Sequence, residues 1–216
     1  MKKAKRLAPE KRIGEILKRL KKAYPEAKCS LNYSSPFELL VATILSAQCT
    51  DERVNKVTKT LFQKYRQPAD YLAVVEEELQ NDVRTTGFFR NKTRSIRGAC
   101  QKILDEFKGN VPATMDELLT LPGVARKTAN VVMGNAYNTA SGVVVDTHVG
   151  RIAQRLKLTR QTVPEKIEND LMKLVPKKDW VKFSHMVILH GRAVCKAIKP
   201  DCPGCVLSSV CPSSTV

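Results

Sequence analysis

The sequence lacks any apolar run long enough to span a membrane. Its N-terminal region also lacks the apolar segment of a secretory signal peptide. Only Val143–Val145 has the pattern of a β-strand, and three residues cannot form a sheet. We therefore expect a soluble, intracellular protein whose fold is helical throughout.

Acidic residues are also scarce, because 21 Asp and Glu stand against 37 Lys and Arg in the 216 residues. The formal net charge of +16 is typical of proteins that bind polyanions. Ten Lys or Arg and two Glu lie within the first 22 residues, and we interpret them as a solvated tail and helix face. Hydrophobic residues make up 43% of the chain, enough for the core of one domain or of two small ones.

Apolar residues recur at helical spacing along most of the chain, and several of these stripes follow a recognisable start signal. Ser35 and Glu38 form a capping box with Pro36 at the first helical position, and Thr114 and Glu117 cap a short helix. We assign the stripes to core packing: Ile13, Ile16, Leu17 and Leu20; Val54, Val57, Leu61, Phe62 and Tyr65; Ile96, Ala99, Cys100, Ile103, Leu104 and Phe107; Ile167, Leu171, Leu174 and Val175; Trp180, Phe183, Met186 and Val187.

The segment LPGVARKTANVV leads from a Pro-Gly turn into an apolar helical pattern with Arg126 and Lys127 in its first turn. Cations are unfavourable there, because a helix N-terminus carries partial positive charge and unpaired N–H groups. A phosphate nearby would satisfy both the N–H groups and the arginine. Together with the short helix before it, the segment has the pattern of a helix-hairpin-helix, in which Gly123 lets the backbone approach a DNA phosphate.

Four of the seven cysteines form a C-terminal cluster with the spacing C-x6-C-x2-C-x5-C. Disulfides are disfavoured in a basic protein that we expect not to be secreted. Zinc sites usually pair two C-x2-C knuckles, whereas this loop has one. Four thiolates in one short loop suit a [4Fe–4S] cluster better. The four are Cys195, Cys202, Cys205 and Cys211; the other three, Cys29, Cys49 and Cys100, lie in or beside apolar stretches, and we assign them to the core.

Three motifs, taken in their order along the chain, together resemble the endonuclease III family of iron–sulfur DNA glycosylases. They are LPGVARKTANVV, VDTHVGR at Val145–Arg151 and ILHGR directly before the cysteine loop. The resemblance also takes in SSPFELLVATILSAQ and runs from the N-terminal helix to Cys211. It implies an all-α fold of two helical subdomains that flank a DNA-binding cleft. One would comprise residues 29–140 with the hairpin; the other would join 1–28 to 141–216, with the [4Fe–4S] loop at 195–211. It also implies a monomer acting in the cytoplasm or nucleoid.

The resemblance implies that Lys127 is the nucleophile of a base-excision repair enzyme acting on double-stranded DNA that contains oxidised pyrimidines or abasic sites. Its amine would form a Schiff base with the flipped nucleotide and then cut the strand by β-elimination. Asp146 would stabilise the cationic sugar, and as an Asp before Thr147 it could also cap the next helix. Without the resemblance, Lys127 would be interpreted as a phosphate contact.

The resemblance also suggests which residues contact DNA. Gln48 matches the family's gap-filling glutamine, and Phe88 matches a wedging apolar side chain. Phe88 could instead belong to the core, but the polar residues after it favour an exposed loop. His148 could contact DNA or have a structural role. The remaining expected contacts lie in the hairpin and the cysteine loop: Gly123, Ala125, Arg126, Lys196 and Lys199.

Two residues depart from the family pattern. Ala125 stands at the second glycine of L-P-G-V-G, and we expect it to adopt helical rather than left-handed dihedral angles. Leu119 stands where some relatives carry an acid, so a lesion preference tied to that acid does not carry over.

Two alternatives remain open. A monofunctional mismatch glycosylase for thymine or adenine would lack the nucleophilic lysine, and the adenine enzymes append a further domain, whereas this chain stops five residues after Cys211. A catalytically silent iron–sulfur DNA-binding module would have no need of both Lys127 and Asp146.

Overall fold

The structure, a computed structural model, describes residues 7–216. Within this range the chain forms α-helices, two short 3-10 segments and loops, with no strand, which confirms the all-helical expectation. None of these helices has both the length and the apolar character that a membrane crossing requires. The helices are α1 Pro9–Ala23, α2 Pro36–Leu45, α3 Asp51–Lys64, α4 Pro68–Ala73, α5 Glu76–Val83, α6 Phe89–Phe107, α7 Met115–Leu119, α8 Arg126–Ala136, α9 Thr147–Arg155, α10 Pro164–Leu174 and α11 Trp180–Ala193; the 3-10 segments are Arg84–Thr86 and Lys177–Asp179.

The predicted N-terminal caps are present at α2 and α7. The Ser35 hydroxyl accepts from the Glu38 N–H at 3.2 Å, and the Thr114 hydroxyl accepts from the Glu117 N–H at 3.3 Å. The reciprocal half of the first capping box is shifted by one residue, because the Glu38 carboxylate accepts from the N–H and hydroxyl of Ser34 at 2.5 and 2.7 Å. Both helices therefore begin where short-range hydrogen bonding dictates.

The described chain divides into two compact units. The hairpin unit comprises Cys29–Ser141, and its centre is α2, which is buried along nearly its whole length and packs against α3, α6 and α8. Helices α4 and α5, which sequence periodicity did not reveal because they are short, pack against α6. Among the residues of this unit that were predicted to lie in the core, the assignment of Leu104 is wrong, since 36% of its surface is exposed. Cys100 is buried, but Cys29 and Cys49 are only half-buried, so assigning them to the core was also wrong.

The cluster-loop unit comprises the chain up to Lys28 together with Gly142–Val216. In it α11 packs against α1 and α9. Val143–Val145, the only stretch with a strand-like pattern, lies in a buried loop and forms no strand, as expected, and the Val144 N–H donates to the Ser184 hydroxyl at 3.0 Å. That side-chain bond replaces the ladder bond that a strand would supply.

The N-terminal basic residues are not all solvated, which corrects the interpretation of that segment. Arg12 is 3% exposed, and its guanidinium donates to the carbonyls of Leu156 at 2.8 Å and Val210 at 3.2 Å. Lys21 forms an ion pair with Asp179 at 2.7 Å. The basic residues among the first six lie outside the described residues. Arg12 therefore holds α1 against distant parts of its own unit, because carbonyls buried there need donors.

Candidate functional site

The hairpin turn between α7 and α8 requires glycine for two independent reasons. Gly123 has a φ of +77°, a conformation that L side chains rarely adopt. A Cβ at this position would also lie 2.5 Å from the Ser95 Cβ of α6. Pro122 packs close to Gly98 of the same helix. The turn is thus held by packing within the hairpin unit, while Gly123 itself stays exposed.

Ala125 is the N-cap of α8 and has extended dihedral angles, φ −90° and ψ 170°. The expectation of helical angles was wrong, because an N-cap residue lies just outside the helix and adopts the β region. Alanine takes this conformation without strain, but its side chain cannot cap the helix. The N-cap side chain therefore accepts no hydrogen bond from the N-terminal N–H groups of α8.

Arg126 and Lys127 are the first two residues of α8, as predicted. Lys127 is exposed and Arg126 is half-buried. The helix is anchored behind them by a buried run from Ala129 to Gly134. The fold thus presents the Lys127 amine at the surface, in the first turn of α8 and directly after the hairpin turn.

Asp146 is the N-cap of α9, and its Oδ1 accepts from the Val149 N–H at 2.8 Å. The capping role considered for this residue is confirmed. The carboxylate is half-buried and follows the buried segment Val143–Val145. Capping engages one carboxylate oxygen through a short-range bond, so the same side chain can also act electrostatically on a substrate.

His148 has contacts within the cluster-loop unit. Its Nδ1 lies 3.1 Å from a guanidinium nitrogen of Arg151. The ring also lies against α11, since a Cβ at Gly191 would stand 2.9 Å from the same Nδ1. These contacts give His148 a structural role, and a contact with DNA stays a prediction.

Gln48 and Phe88 share an unusual backbone conformation. Both are left-handed, with φ of 52° and 48°. Both are exposed, and 61% of Phe88 is accessible to solvent. The core alternative for Phe88 was therefore wrong. Left-handed conformations in residues other than glycine are uncommon, and they concentrate where function requires a side chain to be presented in a particular direction.

The four loop cysteines are half-buried, and none forms a disulfide. Burial raises the pKa of the Cys205 and Cys211 thiols, and Cys195 and Cys202 raise the pKa of both further. N–H groups point at the sulfurs: Arg155 donates to Cys195 Sγ at 3.2 Å, and the Leu207 N–H donates to Cys205 Sγ at 3.4 Å.

His190 connects the loop to helix α1's end. Its Nε2 lies 3.3 Å from Cys205 Sγ, and its Nδ1 lies 3.0 Å from the Tyr24 hydroxyl. Burial lowers the pKa of His190, which favours the neutral ring. A neutral ring that accepts from Tyr24 carries its proton on Nε2, where it can donate to the sulfur. Sequence reasoning missed this contact, although His190 lies in the motif ILHGR.

Helix α9 holds the first part of the cysteine loop. Arg151 donates to the Cys195 carbonyl at 3.1 Å, and Arg155 donates to the carbonyls of Lys196 and Ala197 at 2.7 and 2.9 Å. Sequence reasoning did not single out either arginine, although their spacing of four residues places them on one helix face. The predicted phosphate contacts of the loop, Lys196 and Lys199, are both exposed.

The cysteine loop offers four free thiols as possible ligands. Among residues 7–216, no group of three or more His, Cys, Asp or Glu side chains is arranged to hold one metal ion. A zinc ion needs its ligands about 2.0–2.3 Å from one point, whereas a four-iron cluster takes each thiolate on a different iron. Cysteine sulfurs that bind metals or clusters as thiolates commonly accept hydrogen bonds from N–H groups. The N–H groups that donate to Cys195 and Cys205 are therefore compatible with thiolate ligands in this loop.

Comparison with known proteins gives concordant results. A family model described as "HhH-GPD superfamily base excision DNA repair protein" matches residues 41–177. The endonuclease III of Synechocystis sp. is 58% identical over 211 residues, which cover 97% of this chain and 96% of the relative.

Two solved structures share the fold. A non-covalent complex of endonuclease III with DNA has a TM-score of 0.92 and 46% identity, covering 96% of this chain and 97% of the other. A trapped covalent intermediate of endonuclease III with DNA has the same TM-score and identity, and it covers 96% of this chain and 98% of the other.

Proposed function

Because the chain belongs to the endonuclease III family, within the HhH-GPD superfamily of base excision DNA repair proteins, we propose that it is a bifunctional DNA glycosylase and AP lyase. It excises oxidised pyrimidines from double-stranded DNA and cuts the strand 3′ to the resulting abasic site. It works as a monomer inside the cell. The observation that carries the proposal is the exposed amine of Lys127 in the first turn of α8, in a family with a trapped covalent DNA intermediate.

The hairpin positions the DNA backbone. The N-terminus of α8 offers N–H groups that the side chain of Ala125 does not cap, and the helix dipole adds partial positive charge there. Gly123 leaves the turn without a side chain that would keep a phosphate away. Arg126 adds a cation beside the same phosphate. Because these groups bind phosphate, they hold any sequence alike, as a repair enzyme requires.

Lys127 carries both chemical steps. Its neutral amine attacks C1′ of the flipped nucleotide, the C1′–N bond breaks, and the base departs with the bonding electrons and takes up a proton. Opening of the sugar ring gives an iminium that links C1′ to Nζ. The iminium makes the C2′ proton acidic. Loss of that proton breaks the C3′–O bond and expels the 3′ phosphate, and hydrolysis of the iminium by water then frees the lysine.

Asp146 acts on the same reaction from the N-terminus of α9. As the base departs, positive charge develops on the sugar, and a carboxylate held in place by its bond to the Val149 N–H stabilises that charge without reorganising. The charge of Asp146 thus acts in the transition state, while its capping bond fixes the geometry.

The remaining residues bind and hold the DNA. Gln48 and Phe88, both exposed and left-handed, occupy the space that the flipped nucleotide leaves, because an empty gap would leave neighbouring bases unstacked. Lys196 and Lys199 contact phosphates. His148 contributes by supporting α9 and, secondarily, by contacting DNA.

Members of this family generally carry a [4Fe–4S] cluster. In this chain Cys195, Cys202, Cys205 and Cys211 would hold it. The bound cluster would supply four strong iron–thiolate bonds that brace a loop with little apolar material of its own. Its role would be structural, because the cysteines that hold it would keep the loop lysines Lys196 and Lys199 in place.

Borohydride trapping tests the proposal. Reduction during turnover on a duplex that contains an oxidised pyrimidine or an abasic site should leave the protein covalently joined to DNA. Lys127→Gln should retain DNA binding and lose both the adduct and strand cutting. Lys102→Gln is the matched control, since Lys102 is a surface lysine of α6 paired with Glu106, and this variant should trap like wild type.

The outcomes separate the three possible functions. Excision without an adduct would identify a monofunctional glycosylase, and DNA binding without excision would identify a silent module. Trapping of Lys127→Gln at the wild-type level would show that another amine is the nucleophile, and the assignment of Lys127 would then be wrong.

A further inference from the structure

We propose that Lys92 is a positioning residue that holds the two gap-filling side chains, Gln48 and Phe88, in place before DNA binds. The inference rests on the proposed function, since it concerns base flipping by the hairpin unit. All residues involved belong to that unit. Lys92 itself does not touch DNA, because it is only 4% exposed.

The geometry brings the two loops to one amine. Lys92 Nζ donates to the carbonyl of Leu45 at 2.8 Å and to the carbonyl of Thr86 at 2.8 Å. Leu45 is the last residue of α2 and precedes Gln48 by three residues. Thr86 ends the 3-10 segment and precedes Phe88 by two. The Lys92 side chain thus bridges the start of the loop that carries Gln48 and the start of the loop that carries Phe88.

The backbone of Lys92 adds a third connection. Its N–H donates to the carbonyl of Phe88 at 3.1 Å, so the residue contacts the Phe88 loop through main chain and side chain alike. Phe88 is also the N-cap of α6, the helix that carries Lys92. The left-handed conformation of Phe88 is therefore set at a helix start that Lys92 helps to fix.

A buried lysine is costly, which indicates that this one has a specific use. Burying an ammonium group is unfavourable unless its hydrogen bonds are replaced, and a hydrophobic side chain would fill the same space at less cost. Burial lowers the pKa of Lys92. The carbonyls that it contacts lie at helix ends, where the last C=O groups lack partners within the helix. The lysine therefore satisfies two such carbonyls and couples the segments that contain them.

Such coupling matters for base extrusion. Flipping a nucleotide costs a few kcal/mol of stacking and pairing, and the cost is smallest when the base is already unpaired. Side chains that fill the gap recover part of that cost only if they enter it in the correct orientation. Two left-handed residues on exposed loops would lose that orientation if the loops moved independently. Misplacement on the order of 1 Å can reduce a rate by about 10²-fold.

The experiment compares one lesion in two contexts. Single-turnover excision of dihydrothymine is measured in a duplex opposite adenine and in a bulge without an opposite base. Lys92→Met should reduce the rate in the paired duplex by roughly 10–100-fold and the rate in the bulge only a few-fold. A 2-aminopurine opposite the lesion should show less fluorescence increase on binding than with wild type, because extrusion is impaired.

Two control variants on the same helix separate positioning from stability. Lys102→Met makes the same substitution at a surface lysine paired with Glu106, and it should leave both rates unchanged. Ile103→Val removes one methylene from a fully buried residue and should lower the urea midpoint of unfolding while preserving the ratio of the two rates. If Lys92→Met does not fold, Lys92→Arg, which keeps the charge and N–H donors with a different reach, should show the same loss confined to the paired duplex.

A mutant cycle provides the decisive outcome. When Gln48 and Phe88 are both replaced by alanine, adding Lys92→Met should change excision in the paired duplex by no more than about twofold, because its partners are gone. Equal losses in both contexts, or an undiminished effect in the alanine background, would overturn the inference. A wild-type protein that excises nothing from either substrate would instead overturn the proposed function.

Discussion

Asp146 has a structural role and a proposed chemical role, and two substitutions of this residue separate them. The side chain caps α9 through its bond to the Val149 N–H, and we assign its charge to stabilising the sugar cation. Asn is about as good an N-cap as Asp, so Asp146→Asn keeps the cap and removes only the charge. Asp146→Ala removes both.

The two roles differ in magnitude. Loss of the charge at a helix N-terminus costs about 0.3–1 kcal/mol of stability, whereas loss of the cap costs about 0.5–2 kcal/mol. Loss of one preorganised electrostatic group in a transition state costs about 2.7–4 kcal/mol, a factor of roughly 10²–10³ in rate. We therefore expect Asp146→Asn to be nearly as stable as wild type yet 10²–10³-fold slower in base excision.

Urea unfolding and single-turnover excision measure the two effects separately. Ser35→Ala, which removes the cap of α2, should lose stability comparably to Asp146→Ala but retain excision. Preformed abasic sites need no base departure, so Asp146→Asn should cut them with a smaller deficit. If Asp146→Asn excises within a few-fold of the wild-type rate, the residue is only a helix cap and the catalytic assignment is wrong.

Three further outcomes follow from the described residues. The purified protein should be yellow-brown and contain iron, and Cys202→Ala should lose both; a colourless wild type with one zinc per chain would contradict the cluster. Lys196→Ala should reduce the slope of log K against log salt by about 0.9 with little change in lesion preference, and an unchanged slope would place Lys196 away from DNA. Gly123→Ala should destabilise by at least about 1–2 kcal/mol in urea unfolding, because its φ of +77° disfavours a Cβ and Ser95 lies in the way. Gly14→Ala, in a helix and with nothing within 4 Å of the added Cβ, should instead stabilise.

Features that depend on a few neighbouring residues could be predicted from the sequence. The caps at Ser35, Thr114 and Asp146 each accept from an N–H three residues later, so the whole interaction is contained in the local sequence. Helical periodicity likewise identified most of the buried faces, because burial follows the 3.6-residue repeat wherever a helix is long enough. The exposed position of Phe88 followed from the polar residues after it.

Features that depend on distant partners were decided only by the tertiary structure. Lys and Arg side chains are normally solvated, yet Lys92 and Arg12 are both buried, and each donates to a carbonyl far away in sequence, at separations of 47 and 144 residues. Ala125 adopts extended dihedral angles because it lies one residue before the start of α8. The sequence does not fix the first residue of a helix to within one position, so the conformation of Ala125 could not be predicted from it. The need for glycine at 123 likewise depends on Ser95, which lies on another helix. Local signals specify where helices form, whereas the burial of individual charged groups depends on which buried carbonyls the folded chain brings within reach.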